Sequence, residues 1–372
     1  MAKNPFVTIG YSGPQYFCDR ETETKTMLQH LENGWNITLF SPRRMGKTGL
    51  IHHLFHHLKG AAEKPVCIYL DIYATSQLSE FVSLFSKAVF SSLGTTVSKL
   101  AQKLKGFFSS CRPVLTIDEV TGQPVLSLDF APSQAEQALA EVCKYIASIE
   151  KECYIAIDEF QQILYYPEKN VEALLRTHVQ RLSNVRFIFA GSKNHLMESM
   201  FLTSKRPFFQ STRMMGLGAI DKSHYYEFAR PFFNDEKITI SEEGFDELYT
   251  LVDGHTWYVQ SILNQLYSDK PKAVDDNAIK KAVNIIVEEN SSTYQRFYSL
   301  LTSNQRMMLK AIAKDHIVAQ PTSGRFLSKY GLKSGSSASR SISSLLENEY
   351  LYKDDRGLMV YDHFLGIWLA RQ

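Results

Sequence analysis

The chain has 372 residues, 44% of them apolar, and 41 Lys and Arg against 39 Asp and Glu leave a formal net charge of +2. That length suggests two or three domains with cores of ordinary size, and a balance so near neutrality leaves no bulk attraction to nucleic acid or a membrane surface. No apolar run approaches the roughly 20 residues of a membrane-spanning helix, Met1-Ala-Lys-Asn-Pro-Phe6 has no apolar leader core, and the five cysteines Cys18, Cys67, Cys111, Cys143 and Cys153 lack C-x-x-C spacing, so a cytoplasmic protein without structural zinc or membrane partner is expected.

In chain order, a helix from Glu21 to about Asn33 precedes Asn36-Ile-Thr-Leu-Phe40, an apolar stretch with the character of a buried strand. The strand feeds Ser41, Pro42, Arg43, Arg44, Met45, Gly46, Lys47, Thr48 and Gly49, a G-x-x-x-x-G-K-[ST] phosphate loop in which Ser41 replaces the first glycine. Gly46 lets consecutive backbone N–H groups face an anion, Lys47 supplies an ammonium for terminal phosphates, and Thr48 offers a hydroxyl to Mg²⁺. The helix opening at about Lys47 adds its positive end. Ser41 is a departure because the first position often needs a backbone conformation that glycine reaches more easily. His52, His53, His56 and His57 follow at i, i+4 spacing on that helix, and with two imidazoles per face they read as a partly exposed helix surface rather than a zinc site.

Val66-Cys-Ile-Tyr-Leu70 is a second strand, and an amphipathic helix is expected from Leu78 to about Phe108. Val114-Leu-Thr-Ile-Asp-Glu119 ends in two acids, but the turn at Thr121-Gly122 and the alternation of Gln123 to Phe130 predict a β-hairpin near 112–130 instead of a buried parallel strand. A helix from Ser133 to Glu150, opened by a Ser133–Glu136 capping box, leads to Cys153-Tyr-Ile-Ala-Ile157 and then Asp158-Glu159. Carboxylates at the tip of a buried strand suit a Mg²⁺ shell, for Asp158, and a base that orients and deprotonates water, for Glu159. A helix over about Asn170 to Leu182 is followed by the strand Asn184 to Ala190, which ends in Gly191-Ser192. Arg206 and Arg213 follow, where a lid or a neighbouring subunit could use either as an arginine finger.

Strands alternating with helices predict a doubly wound parallel α/β sheet with ligand at the C-terminal strand edges, which would gather Lys47, Asp158 and Ser192. From about Asp221 to Ser291 helical periodicity dominates, as in a lid, and Trp257 and Tyr258 of Gly254-His-Thr-Trp-Tyr258 are expected to plug its own core. Helices over Ser303 to Ile312, Ser323 to Tyr330 and Ser336 to Asn348, followed by strands Tyr350 to Tyr352 and Leu358 to Tyr361, make a winged helix-turn-helix. Its third helix would offer Ser336, Ser337, Ser339, Arg340 and Ser343 to DNA, with Lys333 ahead of it. That is a thin footprint for phosphate, and Asp354-Asp355 in the wing opposes contact there. The expected domains are 1–220, 221–295 and 296–372.

The segments Tyr16-Phe-Cys-Asp-Arg-Glu-Thr-Glu23, Ser41 to Gly49, Ile155-Ala-Ile-Asp-Glu-Phe-Gln161 and Phe189-Ala-Gly-Ser192 together resemble the archaeal-type ATPases, also found in bacteria, of the STAND branch of AAA-related P-loop ATPases. The resemblance spans nearly the whole chain. It implies ATP or ADP as ligand, Mg²⁺ as cofactor and a hydrolysis-reset switch, slow or partner-activated, that works as a homo-oligomer or with a DNA or protein partner at the winged helix. It makes Lys47 and Thr48 the Walker A pair and Asp158 and Glu159 the Walker B pair. Asp19 and Arg20, with Glu21, would lie beside the base, and Ser192 would sense the γ-phosphate, with Lys193 and Asn194 as alternates and a plain helix N-cap as the competing reading of Ser192. Thr256 stands where related switches often carry proline, and no Asn-Lys-x-Asp guanine motif is present, which favours ATP over GTP.

Overall fold

The computed structural model describes residues 4–60, 64–92, 108–109, 111–117, 122 and 124–372. The chain divides into two compact units, one of Ile9–Ile220 and the other of Asp221–Gln372 together with the N-terminal segment up to Thr8.

The unit of Ile9–Ile220 alternates helix and strand: α1 (Glu21–Glu32), β1 (Ile37–Phe40), α2 (Lys47–Lys59), β2 (Val66–Asp71), α3 (Leu78–Ser92), β3 (Arg112–Ile117), β4 (Pro124–Asp129), α4 (Ala135–Ala147), β5 (Cys153–Asp158), α5 (Val171–Arg181), β6 (Val185–Gly191), α6 (Asn194–Leu202) and β7 (Arg213–Gly216). Five strands form one sheet in the order β2-β5-β6-β1-β7, and every pairing in it is parallel. β5 is buried along its whole length, as its unbroken apolar run requires of a strand covered on both faces. Its alternate residues feed two cores: Cys153, Ile155 and Ile157 pack with Phe81, Leu139 and Phe189, while Tyr154 and Ala156 pack with Met27, Leu50 and Leu54. Period-two alternation thus places helices on both faces, the doubly wound arrangement.

β3 and β4 pair antiparallel outside that sheet, from Arg112 opposite Asp129 to Ile117 opposite Pro124. β4 buries Leu126 and Leu128 in the core with α3 and α4, whereas Leu115 and Ile117 of β3 are 62% and 72% exposed. Asp118 and Glu119 lie outside the described residues. α3 ends at Ser92, the expected continuation over 93–107 lies outside the described residues, and Phe108 is not helical. The expected Ser133–Glu136 box does not open α4. A short 3-10 turn over Pro132–Gln134 precedes that helix, and Gln134 turns its own Oε1 back to accept from the Ala131 N–H at 3.2 Å. A proline at the first position of that turn shifts the helix start beyond Ser133.

The other unit contains α7 (Lys222–Asp235), β8 (Thr239–Ile240), α8 (Glu242–Leu251), α9 (Thr256–Asp269), β9 (Ala273–Val274), α10 (Asp276–Leu300), α11 (Ser303–Asp315), α12 (Gly324–Lys329), α13 (Gly335–Glu347), β10 (Leu351–Lys353), β11 (Leu358–Val360) and α14 (His363–Ala370). Helices α11 to α13 followed by the antiparallel β10–β11 wing give the winged helix. The expected division at 295/296 lies along α10, whose Tyr294 and Tyr298 meet the Trp368 ring of α14. One expectation about boundaries needs correction. The first residues, assigned to the sheet domain, belong here instead: Phe6 is fully buried and stacks on Phe233 at 5.2 Å, and Asn264 donates to its carbonyl at 2.7 Å. Tyr258 is buried, with its ring 5.0 Å from that of Phe364, and Trp257 donates its indole N–H to the Thr8 carbonyl at 3.1 Å. Among the described residues no helix is long and apolar enough to cross a membrane.

Candidate nucleotide site

The loop between β1 and α2 turns through two left-handed residues, Arg44 at φ 67° and Gly46 at φ 94°. Gly46 is the N-cap of α2, and a side chain there would be strained. Ser41 is absent from the left-handed residues, so the first-glycine position needs no glycine in this loop, contrary to what the motif suggests. Ser41 is buried and donates its hydroxyl to the Pro42 carbonyl at 3.0 Å. Lys47 is 6% exposed, and its ammonium donates to the Ser41 and Pro42 carbonyls at 2.8 and 3.1 Å and to Ser41 Oγ at 3.2 Å. Burial pushes the Lys47 pKa down to about 8; Asp158 and Glu159 oppose that push and Arg43 adds to it.

Asp158 is 3% exposed at the tip of β5. Its Oδ2 accepts from Thr48 Oγ1 at 2.7 Å and from the Tyr69 hydroxyl at 3.0 Å, and its Oδ1 accepts from the Glu159 backbone N–H at 3.0 Å. Thr48 and Asp158, 110 positions apart in sequence, therefore meet at the C-terminal edge of the sheet, the edge at which open α/β sheets bind ligands. A hydroxyl and a carboxylate, oxygen donors only, suit a hard ion that keeps several of its waters, so these two residues fit Mg²⁺.

Glu159 follows with φ 55°, a left-handed backbone that turns its side chain away from that of Asp158. Its carboxylate accepts from Ser192 Oγ at 2.7 Å and from the Gln161 side-chain amide. Ser192 is thus brought to Glu159, and the N-cap reading fails: Lys193 caps α6 without a side-chain hydrogen bond. Lys193 instead donates to the Tyr165 hydroxyl at 3.3 Å. Gly191 lies against Gln161 and Met197 so closely that an added Cβ would clash with both.

Asp19 and Arg20 have left-handed backbones at φ 51° and 71°. Arg20 is 4% exposed and donates to Glu23 at 2.6 Å, to the Gly218 carbonyl at 2.7 Å and, weakly, to the Met45 carbonyl at 3.4 Å. It therefore ties the segment before α1 to the phosphate loop. Arg43 of the loop lies over the Tyr73 ring at 5.5 Å, and Gly49 faces the Phe17 ring, 3.2 Å from where a Cβ would stand.

The two candidate finger arginines make contacts within their own chain. Arg206 pairs with the buried Glu172 of α5 at 3.3 Å, and burial outweighs that arginine enough to raise the Glu172 pKa. Arg213 opens β7 opposite Ile37, the first residue of β1, so it lies at the strand edge opposite the loop, and its guanidinium stacks on Trp35 at 4.1 Å. The histidine face is partly exposed, with His56 and His57 exposed and His52 half-buried. His53 is buried under Phe17, accepts or donates at 2.9 Å with Tyr11, and meets His57 Nε2 at 3.0 Å.

Two residues at this site are not marked by any sequence motif. Tyr69 and Asp71 lie on β2, and Asp71 stands in register with Asp158; burial raises the Asp71 pKa, with the charges of Asp158 and Glu159 acting in the same direction. Gln161 closes a quoted segment, but its bond to Glu159 is not stated by it. The run Val66-Cys-Ile-Tyr-Leu-Asp71 has the same apolar-then-acid form as Cys153 to Asp158, and that likeness is the signal that could have found Asp71.

Residues 17–262 match the model of an ATPase domain family described as predominantly from Archaea. The chain belongs to this family. Residues 292–371 match a probable winged helix domain. Among solved structures, the ATPase chain is similar to the Walker-type ATPase of Pyrococcus abyssi, at 16% identity over 98% of this chain and 99% of the other with a TM-score of 0.67. It is also similar to the ORC2 protein of Aeropyrum pernix, solved in ADPNP–ADP complexes, at 15% identity over 99% and 96% with a TM-score of 0.60. The ORC1 protein of Aeropyrum pernix, solved in complex with DNA, gives 13% identity over 96% and 93% with a TM-score of 0.54. At such identities the likeness is one of fold. Comparison with curated proteins finds no match.

Proposed function

We propose that this ATPase-family chain is a Mg²⁺-dependent, ATP-hydrolysing molecular switch of the STAND type, whose nucleotide state is coupled to its helical segment and winged helix. The observation that carries the reading is the meeting of Thr48 with Asp158 at 2.7 Å while the neighbouring Glu159 carboxylate points to Ser192. One acid is then available to the ion and the other to water. In this reading Lys47 and the loop N–H groups would hold the phosphates, Asp19 and Arg20 would flank the base, Thr48 and Asp158 would hold Mg²⁺, which would neutralise phosphate charge, and Glu159 would take the proton of the attacking water. Ser192, which donates to Glu159, would report the γ-phosphate by exchanging that partner for a phosphate oxygen. Arg206 or Arg213 of another copy, or an arginine of a partner, would then supply the finger, which fits slow intrinsic turnover and a homo-oligomer.

Equilibrium binding of a fluorescent ATP analogue tests the reading. Tight binding competed by ATP more than by GTP, and weakened at least about tenfold by Lys47→Ala, is expected, since an ion-paired phosphate contact is worth more than about 1.4 kcal/mol. Equal binding by the variant would contradict the assignment of the loop.

A second reading is a nucleotide-controlled DNA-binding regulator, favoured by the winged helix, by the exposure of Ser336, Ser339, Arg340 and Ser343 along one face of α13, and by the ORC1 relative solved with DNA. Against it, the wing arginine Arg356 is paired with Asp253 at 3.0 Å and Asp354 at 2.9 Å. Salt-dependent DNA binding lost in Arg340→Ala would support this reading, and undiminished binding would rule out α13 as the reader. A protein partner at the winged helix and a scaffold that holds nucleotide without turnover are the outcomes left if neither DNA binding nor hydrolysis is found.

A further inference from the structure

The Asp158 carboxylate is held by more than the phosphate loop. Its Oδ2 takes two side-chain donors, Thr48 from α2 and Tyr69 from β2, and the Tyr69 phenol is itself fixed, with the His52 ring of α2 against it at 4.6 Å. β2 and β5 are adjacent and in register, with Tyr69 opposite Ala156 and Asp71 opposite Asp158. The phenol therefore reaches along the strand to the tip of its neighbour while its ring is wedged between sheet and helix.

We infer that Tyr69 is a positioning residue for the metal site, acting through Asp158 to set the orientation in which that carboxylate meets Mg²⁺ or its bound water. The chemistry is that of an outer partner of a metal ligand. A carboxylate that must face an ion is free to rotate about its Cβ–Cγ bond, and each fixed donor on one oxygen removes part of that freedom before the ion arrives. Thr48 cannot do this alone, because its hydroxyl is also the group that would bind the ion. Tyr69 has no such second duty, and a phenol, whose ordinary pKa is about 10, is a donor throughout the neutral range and reaches Asp158 Oδ2 at 3.0 Å.

This inference rests on the nucleotide and Mg²⁺ reading above, and one experiment separates their failures. A fluorescent ATP analogue is bound to the wild type and to Tyr69→Phe, in chelator and across a Mg²⁺ titration, with thermal unfolding of both proteins as the check on folding. The isosteric ring should leave the melting temperature and the affinity in chelator within about twofold, while the half-saturating Mg²⁺ concentration rises roughly tenfold, the low end for loss of an outer partner. A half-saturation within about twofold of the wild type, or an affinity that falls equally with and without Mg²⁺, would overturn the role of Tyr69 and leave the nucleotide reading intact. A wild type that does not bind the analogue, or binds it without regard to Mg²⁺, would overturn both.

Discussion

Burial to 6% exposure lowers the Lys47 pKa to about 8 from the 10.5 of a free lysine, against the opposing charges of Asp158 and Glu159. Because the folded value lies below the unfolded one, burial of charged Lys47 costs stability below about pH 8, and that cost is relieved as pH climbs toward the ordinary lysine value. A phosphate binds the charged form, so ATP affinity is expected to fall as pH rises through about 8, with a proton taken up on binding above it. Calorimetry in two buffers of different ionisation enthalpy would show this, and Lys47→Arg, whose charge does not titrate there, should lack the pH trend. Equal wild-type affinity at about pH 7 and about pH 9 would contradict it. The residues of this site are unequally visible in sequence. Gly46, Lys47 and Thr48 are legible because each has a duty fixed by spacing, and Asp158 and Glu159 because adjacent acids closing a buried strand are costly unless they meet an ion or handle a proton there. Tyr69 and Gln161 act through another side chain, and such roles depend on which strands become neighbours, which local sequence does not state.

The elements that can be read from sequence are those whose burial repeats along the chain. β5 is covered on both faces and is apolar throughout, so its place in the sheet follows from its letters. β7 escapes such a reading because four residues, Arg-Met-Met-Gly, with exposed ends carry no period. α14 escapes it for the opposite reason: five of its eight residues are buried, so it lacks a polar stripe, and only the Asp362 cap, accepting from the Leu365 N–H at 3.0 Å, marks its start. In the hairpin, the two strands share a register but not an environment. Ile117→Lys on β3 should change stability by no more than about 0.5 kcal/mol, whereas Leu126→Ala on β4 should cost about 2–5 kcal/mol. Urea unfolding would check the pair, and equal costs would mean that β3 is covered in solution.

At the scale of the molecule, the order of elements is legible, while the unit to which the first residues belong is not. Phe6 comes before every helix and strand yet packs with Phe233 and Tyr267, far along the chain. Contacts at such separations leave no local trace. The sheet unit, in contrast, brings residues from separate motifs to one edge, and in the proposed function these are a loop lysine, an ion-facing aspartate and a water-facing glutamate assembled for ATP hydrolysis. The decisive measurement is steady-state ATP turnover with Mg²⁺ for the wild type and Glu159→Gln at matched nucleotide occupancy. Turnover is expected to fall at least about a hundredfold in the variant, as for loss of a general base, while ATP remains bound; turnover that survives the substitution, or a nucleotide-loaded wild type with none, would contradict this role for the site.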